Sequence, residues 1–477
     1  MSEQDGNIDV IQASPTKRFF VDMLTRDIEL NDAILDLLDN CVDGIQRTIH
    51  NTDKETTERP YEGYWAKITV SEDKFTIEDN CGGIPRDIAK NYAFRFGRPD
   101  DRTDGEIPTV GIYGIGMKRA IFKMGLSSTI ESKHDDEECY KVNIKPEWLK
   151  NDEDWELRLL EPEANQENVG TKISISNLHD HIREKFKHAG EFNEQLSELV
   201  STHYTYIIQN GFNVIIDEQI VTPQPLDVLA SSFDDYENNQ GILPFIYEGT
   251  KNGVQIRIVV GFLAQPPGES EVAEYTEAPR KKEQAGWTII ANDRVVLYKD
   301  RTRLTGWGTG TVPSYHPQFR DISGVVEFSC NDAEKLPINT TKRGLEAGDE
   351  LYLYVKDFMC EGLKIFTQHT NIWKGYKEKE KEIFDSANAA SIRSVTNNIK
   401  SELWVNPKKN PNEKKFIPKL PKPKSETVVS KWIRFSKKQS DIKKVSQYLF
   451  DNDDIEPSTV GEKCFDLILE DSKEDLE

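Results

Sequence analysis

An α/β fold is what this sequence predicts: a two-layer sandwich with a mixed, mainly antiparallel sheet under helices, then a smaller α+β domain, then a basic, partly helical C-terminal region. Three observations predict it. From Glu29 to Asp217, segments with helical apolar spacing alternate with short β-branched runs. At Thr222–Asp227 (TPQPLD) the alternation breaks, and strand-like runs then resume before a long apolar helix. Beyond Lys374 the chain becomes Lys-rich and passes into a Pro/Lys stretch, NPKKNPNEKKFIPKLPKPK. The expected domains are residues 1–222, 223–370 and 371–477.

Each element has its own signal. In Glu29–Ile49 the residues Ile34, Leu37, Leu38, Cys41 and Ile45 fall on one side of a helix. Asp36, Asn40 and Asp43 recur at i, i+4 and i+7 along another side, with Asp32 one turn earlier. A stripe of carboxylates and an amide on so apolar a helix either faces solvent or borders a polar cavity, because buried carboxylates need partners or a cation. Strands are expected at Ala66–Ser71, Phe75–Glu78, Ser128–Ser132, Tyr140–Ile144, Thr171–Ser176 and Phe212–Asp217, with a second helix at Gly116–Met124. In the second domain the expected strands are Ile256–Phe262, Gly286–Ala291 and Gly324–Ser329, followed by a helix over Asp349–Thr367.

Composition narrows the class. No apolar run among the 477 residues approaches the ~20 needed to span a bilayer, so a membrane protein is not expected. The N-terminus, MSEQDGNIDV, is polar and acidic and lacks the pattern of a signal peptide. The six cysteines form no CxxC pair, which argues against a zinc finger or disulfide framework and suits a reducing cytoplasm. The net charge of −22 is unevenly spread: Lys374–Lys444 carries 19 Lys+Arg against 8 Asp+Glu, and Asp451–Glu477 carries 2 against 11. An acidic body thus bears a basic segment and an acidic tail.

Three further stretches join the Asp/Asn helix as candidates for chemistry. FTIEDNCGGIP ends a strand at Asp79 beside Gly82 and Gly83, where a ligand can approach the backbone closely. GIYGIGMKRA places Gly111, Gly114 and Gly116 before a helix whose free N–H groups suit a polyphosphate. VGTKISI sets Gly170 and Thr171 at the start of a strand.

In this order and spacing the four stretches resemble the GHKL ATPase superfamily, which includes type II DNA gyrases, MutL, the ninety-kilodalton heat-shock chaperones, histidine kinases and the MORC ATPases. The resemblance covers residues 17–178. It implies ATP and Mg²⁺ as cofactors, with Asn40 ligating the metal through its side-chain oxygen. Asp36, with Asn40 and Asp43, matches the N box, and Asp36 stands where the family's hydrolytic base is usually Glu. One methylene shorter, it implies slow hydrolysis, with Glu29 and Asp32 on the same face as substitutes. Asp79 would accept from the adenine amino group, with Gly83 beside it and Thr171 assisting. Gly111, Gly114 and Gly116, with the amides of Met117 and Lys118, would hold the phosphates under a lid of about residues 97–111. Cys81 stands in place of the first glycine of the usual DxGxG and reads as a small buried filler.

The second domain resembles the transducer of MutL-type and MORC-type proteins. WTIIANDRVV looks like its NxR strand, and LPINTTKRGLE its lysine loop, so Lys342, with Arg343 as fallback, would reach the γ-phosphate. Histidine-kinase activity is not expected, since no phosphoacceptor His segment is visible. The resemblance implies a clamp that dimerises on binding ATP, either through residues 14–24 or with that segment packed on its own sheet. Two classes of substrate stay open. Lys374–Lys444 interleaves basic residues with Trp404, Phe416, Trp432 and Phe435, which suits DNA or a DNA-acting partner, with bacterial antiphage defence as one setting. The alternative is a chaperone-like or signalling switch that binds a protein without DNA.

Overall fold

The computed structural model describes residues 16–95, 115–163, 168–238, 241–268, 271–272, 284–339, 342, 344–407, 412–423, 433 and 435–474. The chain divides into a compact unit, Met1–Pro423, and a second unit, Lys424–Glu477.

The first unit opens with helix α1 (Lys17–Arg26) and helix α2 (Leu30–Ile49). Strands β1 (Trp65–Ser71), β2 (Lys74–Asp79), β3 (Gly125–Lys133), β4 (Tyr140–Ile144), β5 (Gly170–Leu178), β6 (Asn213–Ile216) and β7 (Gln219–Ile220) follow. Among the described residues they make one sheet in the order β4-β3-β5-β2-β1-β6-β7, in which only the β1–β6 pair is parallel. The apolar side chains of α2, notably Ile34, Leu37, Leu38 and Ile45, share one core with Ile68, Phe75, Ile130 and Ile175 of the strands. This is the expected two-layer sandwich, and its element positions follow the apolar spacing closely. Helices Asp180–Lys187 and Ala189–His203, which no expected element covered, complete the helical layer against β1.

A second sheet follows within the same unit. It uses β9 (Phe245–Lys251), β10 (Val254–Phe262), β11 (Gly286–Ala291), β12 (Arg294–Asp300), β13 (Ile322–Ser329) and β15 (Lys414–Phe416), in the order β12-β11-β13-β10-β9-β15. The remaining two strands, β8 (Val228–Ala230) and β14 (Asn388–Ala390), pair with each other. Helix Glu350–Ile372 lies across β9, β10 and β13 and buries Val355, Met359 and Phe366. At β15, within the Lys-rich stretch, Phe416 is buried and Lys414 pairs with Glu248 at 2.7 Å.

β11 and β12 are joined by Asn292 and Asp293, both with positive φ (45° and 68°), as a tight two-residue hairpin turn requires. Asn292 clamps the end of β13: its Nδ2 donates to the Cys330 carbonyl and its Oδ1 accepts from the Cys330 amide, both at 2.9 Å. Tyr61, from the first layer, donates to Asp293. The hairpin tip is thereby tied to the sandwich.

The second unit contains helices Gln439–Phe450 and Pro457–Glu474. Within it, Ser446 Oγ donates to the Asn452 carbonyl at 2.6 Å and Lys443 pairs with Asp453 at 3.2 Å. No helix among the described residues is long and apolar enough to cross a membrane.

Candidate functional site

From Ala33 to Gln46 every residue of α2 is buried except Asn40. Its amide side chain is exposed and has no protein partner among the described residues. On a helix covered this thoroughly, one uncovered polar side chain marks an opening. Asp36 lies one turn earlier and is buried (6% exposed), as are Asp39 (1%) and Asp43 (2%).

Three close approaches bring the other three candidate stretches to this helix or to one another. A Cβ on Gly116 would lie 3.3 Å from the Asp36 Cβ, so the first turn of helix Gly116–Met124 abuts Asp36. A Cβ on Gly44 would meet the Cys81 carbonyl oxygen at 2.3 Å, which fixes the loop after Asp79 against α2. Gly170, with φ +148°, lies against the Asp79 backbone, where a Cβ would stand 1.9 Å from the carbonyl oxygen. Only glycine fits there, on both counts.

Asp79 is oriented by the backbone. Its Oδ1 accepts from the amides of Cys81 at 2.8 Å and Thr171 at 3.3 Å. Its Oδ2 receives the Cys41 thiol at 3.5 Å. Burial pushes its carboxyl up to about 6, against the pull of those hydrogen bonds. The Thr171 hydroxyl is 3.0 Å from Ser132 Oγ, which also accepts from the Ile84 amide at 2.8 Å. An aspartate held in this way has only the long thiol contact on Oδ2, which leaves that oxygen able to accept from a stronger donor, as an amino group on a base would supply.

Asp36 is met by two cations. Arg119, three residues into the glycine-led helix, donates to its Oδ2 from Nε at 3.1 Å and from a terminal nitrogen. Lys342 Nζ stands 3.6 Å from its Oδ1. The same ammonium pairs more closely with Asp39 Oδ2, at 2.8 Å. Asp39 Oδ1 also accepts from Arg294, the first residue of β12, and from the Tyr204 hydroxyl at 2.5 Å. Burial opposes ionisation of Asp39, but Arg294 and Lys342 outweigh it and hold the carboxyl below its usual range. For Lys342 burial likewise opposes the charge, and Asp39 with Asp36 raises its pKa above the ordinary lysine value. Lys342 adopts a left-handed backbone, φ +56°, unusual for a side-chain-bearing residue and common where a site imposes strain.

The other expected residues fall as follows. Met117 and Lys118 lie in the first turn of helix Gly116–Met124, and the buried Lys118 donates from Nζ to the Ala93 carbonyl at 2.8 Å. Gly83, φ +68°, packs on the Lys133 and Gly170 carbonyls. Gly111, Gly114, the lid at residues 97–111, Arg343 and Trp432 lie outside the described residues. Helix α1 packs on helix Gly116–Met124 and is anchored by Lys17, whose Nζ donates to the carbonyls of Trp148 at 2.8 Å, Asn151 at 2.6 Å and Asp154. Arg119, Asp39 and Tyr204 were not anticipated. Asp39 offered one signal, since it shares the helix turn of Asp36 and Asp43.

Fold and site together give an α/β sandwich in which a polar helix face, a half-buried aspartate and glycine turns meet, an arrangement suited to a nucleotide. Residues 28–177 match the histidine kinase-, DNA gyrase B- and HSP90-like ATPase family, so the chain carries a GHKL-type ATPase domain. Binding and hydrolysis of ATP are the activity of that domain. No curated protein matches the chain. Mg²⁺, which this class of domain typically uses with ATP, suits the exposed Asn40 amide: a hard oxygen donor at the opening, with the buried carboxylates of Asp36 and Asp43 one turn to either side.

Proposed function

We propose that this chain is an ATP-dependent molecular switch, MORC-like or MutL-like in plan, that reports nucleotide occupancy of the sandwich to the second sheet. One observation carries the proposal: Lys342, reached from the second sheet, stands among Asp36 and Asp39 on the helix that bears Asn40. A cation so placed can exchange carboxylates for the γ-phosphate when Mg-ATP arrives, which gives a two-state contact between the layers. In this proposal Asn40 holds the metal, with Asp43 on the same helix stripe. Gly111, Gly114 and Gly116 and the amides of Met117 and Lys118 take the phosphates. Asp79, with Thr171 and Gly83 alongside, takes the adenine. Asp36 is the base. Two nitrogens of Arg119 already occupy its Oδ2, which supports slow turnover.

Dimerisation on ATP is part of the same proposal, and the exposed Phe19 and Met23, one turn apart on α1, support it. For the substrate, a protein partner has more support than DNA. Phe416 is in the core, and Lys400, Lys414 and Lys415 pair with Glu237, Glu248 and Glu361, so phosphates would compete with carboxylates already in place.

The test is sedimentation of the wild type and Lys342→Ala with a non-hydrolysable ATP analogue, with and without duplex DNA at two salt concentrations. Asp39 keeps Arg294 and Tyr204 in the variant, so the fold survives. The wild type should dimerise, and Lys342→Ala should need about tenfold more analogue, a loss of about 1.4 kcal/mol. An identical shift in both proteins refutes the switch. DNA association that weakens steeply with salt would restore DNA as the substrate.

A further inference from the structure

Cys41, Asp79 and Cys81 converge from three places: the middle of α2, the end of β2 and the loop beyond it. One ligand atom from each, two sulfurs and a carboxylate oxygen, lies within 4.8 Å of the others. Both thiols are buried, and neither is in a disulfide. A tetrahedral zinc site needs sulfur–oxygen separations of about 3.5 Å and sulfur–sulfur separations of about 3.8 Å, from bond lengths of about 2.3 and 2.0 Å. Cys41 Sγ already stands 3.5 Å from Asp79 Oδ2.

The carboxylate is oriented for such a role. The Cys81 and Thr171 amides hold Oδ1, so Oδ2 is the oxygen left facing the thiols, and a ligand fixed by outer hydrogen bonds binds metal better than a free one. The Cys81 backbone packs directly on α2, because Gly44 has no Cβ to hold it off. Two thiolates and one carboxylate favour a soft or borderline cation over Mg²⁺, and three protein ligands leave a fourth position open.

We propose that Cys41, Asp79 and Cys81 form a binding site for a thiophilic divalent cation of the zinc–cadmium class. Binding releases the two thiol protons to solvent and joins both sulfurs and Oδ2 to the metal. Since Oδ2 is then occupied, the bound cation excludes the nucleotide base. That exclusion rests on the adenine role proposed for Asp79; the binding itself does not.

The experiment uses the full chain stripped with a chelator, then titrated with Zn²⁺ against a chromophoric competitor and with Cd²⁺ while following the ultraviolet thiolate-to-cadmium band. One cation per chain is expected, with the cadmium band present. Cys41→Ser and Cys81→Ser should each weaken binding about tenfold or more, and Cys360→Ser should leave it unchanged. Asp79→Asn, which preserves the shape of the side chain and keeps the variant foldable, should weaken Zn²⁺ binding by a similar factor. Equal Zn²⁺ affinity in the wild type and Asp79→Asn, or a cadmium band indifferent to Cys41 and Cys81, overturns the site. Saturating adenosine, which lacks phosphates to chelate the cation, should reduce Zn²⁺ affinity. If Zn²⁺ binds at these residues and adenosine has no effect, the site stands and the adenine role of Asp79 falls.

Discussion

Replacing Asp79 by Asn separates the cost of this residue to the fold from its use to the ligand. Burial raises the carboxyl from 3.8 to about 6, so the fold binds that proton more tightly than the unfolded chain does. The sign follows. Stability contributed here is greatest below pH 4, falls as pH rises through 4 to 6, and stays flat above. A shift of about two units, at about 1.36 kcal/mol each, makes the ionised carboxylate cost the fold up to about 3 kcal/mol at neutral pH. Because the side chain is only partly buried at the cleft, that figure is a ceiling. Asn can accept the Cys81 and Thr171 amides with its own oxygen, so the variant keeps the local hydrogen bonds. The expected result, from urea unfolding of both proteins between pH 4 and 8, is a variant of equal stability at the acid end and more stable, by up to about 3 kcal/mol, at the neutral end. In calorimetry the same variant should lose ATP affinity. A stability difference that does not change with pH, or a variant less stable at pH 7 than at pH 4 relative to wild type, refutes the assignment of Asp79 as a carboxylate strained by burial.

Two further outcomes test the cleft and its geometry. Asn40→Ala should leave unfolding stability within about 0.5 kcal/mol of wild type, since the side chain is exposed and has no partner among the described residues, yet abolish Mg²⁺-dependent ATP binding in calorimetry; unchanged affinity would remove Asn40 from the metal. Gly170→Ala should destabilise the protein by about 3 kcal/mol or more in thermal unfolding, because its Cβ would strike the Asp79 carbonyl oxygen and its φ excludes a side chain; an unaltered melting temperature would show that this junction is not rigid.

How much was legible depends on how local each signal is. The α2 helix and the expected strands follow from periodicity within a few residues, since the burial that selects them is read directly from apolar spacing. Ala189–His203 was missed because its buried side chains, Phe192, Leu196 and Val200, are diluted by Asn193 and Ser201 on the covered side. β15 was missed for the opposite reason: KKF inside a Pro/Lys stretch reads as a linker, and it becomes a strand only by pairing with β9. Of the site, Gly116, Gly170 and the Asp79 strand end were legible as motifs. Arg119 was not, because an arginine in a helix's first turn looks like an ordinary surface charge until Asp36 is placed beside it.

Asp39 shows why a long-range partner decides what a sequence pattern means. By spacing alone it only flanks the stripe of Asp36, Asn40 and Asp43, and a solvated helix face would have satisfied the same pattern. What removes that option is Arg294 and Lys342, 255 and 303 positions further along the chain, together with Tyr204, 165 positions on. A buried carboxylate deprived of such partners costs about 3–5 kcal/mol, so the helix could not bury Asp39 unless the second sheet docked on it. The two cations are not equivalent in this. Arg294 opens a strand whose turn is clamped by Asn292 and Asp293 and is therefore a fixed support. Lys342 has a left-handed backbone, φ +56°, and divides its charge between Asp39 and Asp36. If, as proposed, Lys342 leaves for a phosphate, Asp39 keeps its fixed partner and the interface holds, so in the proposed switch one cation secures the joint while the other reports on the nucleotide.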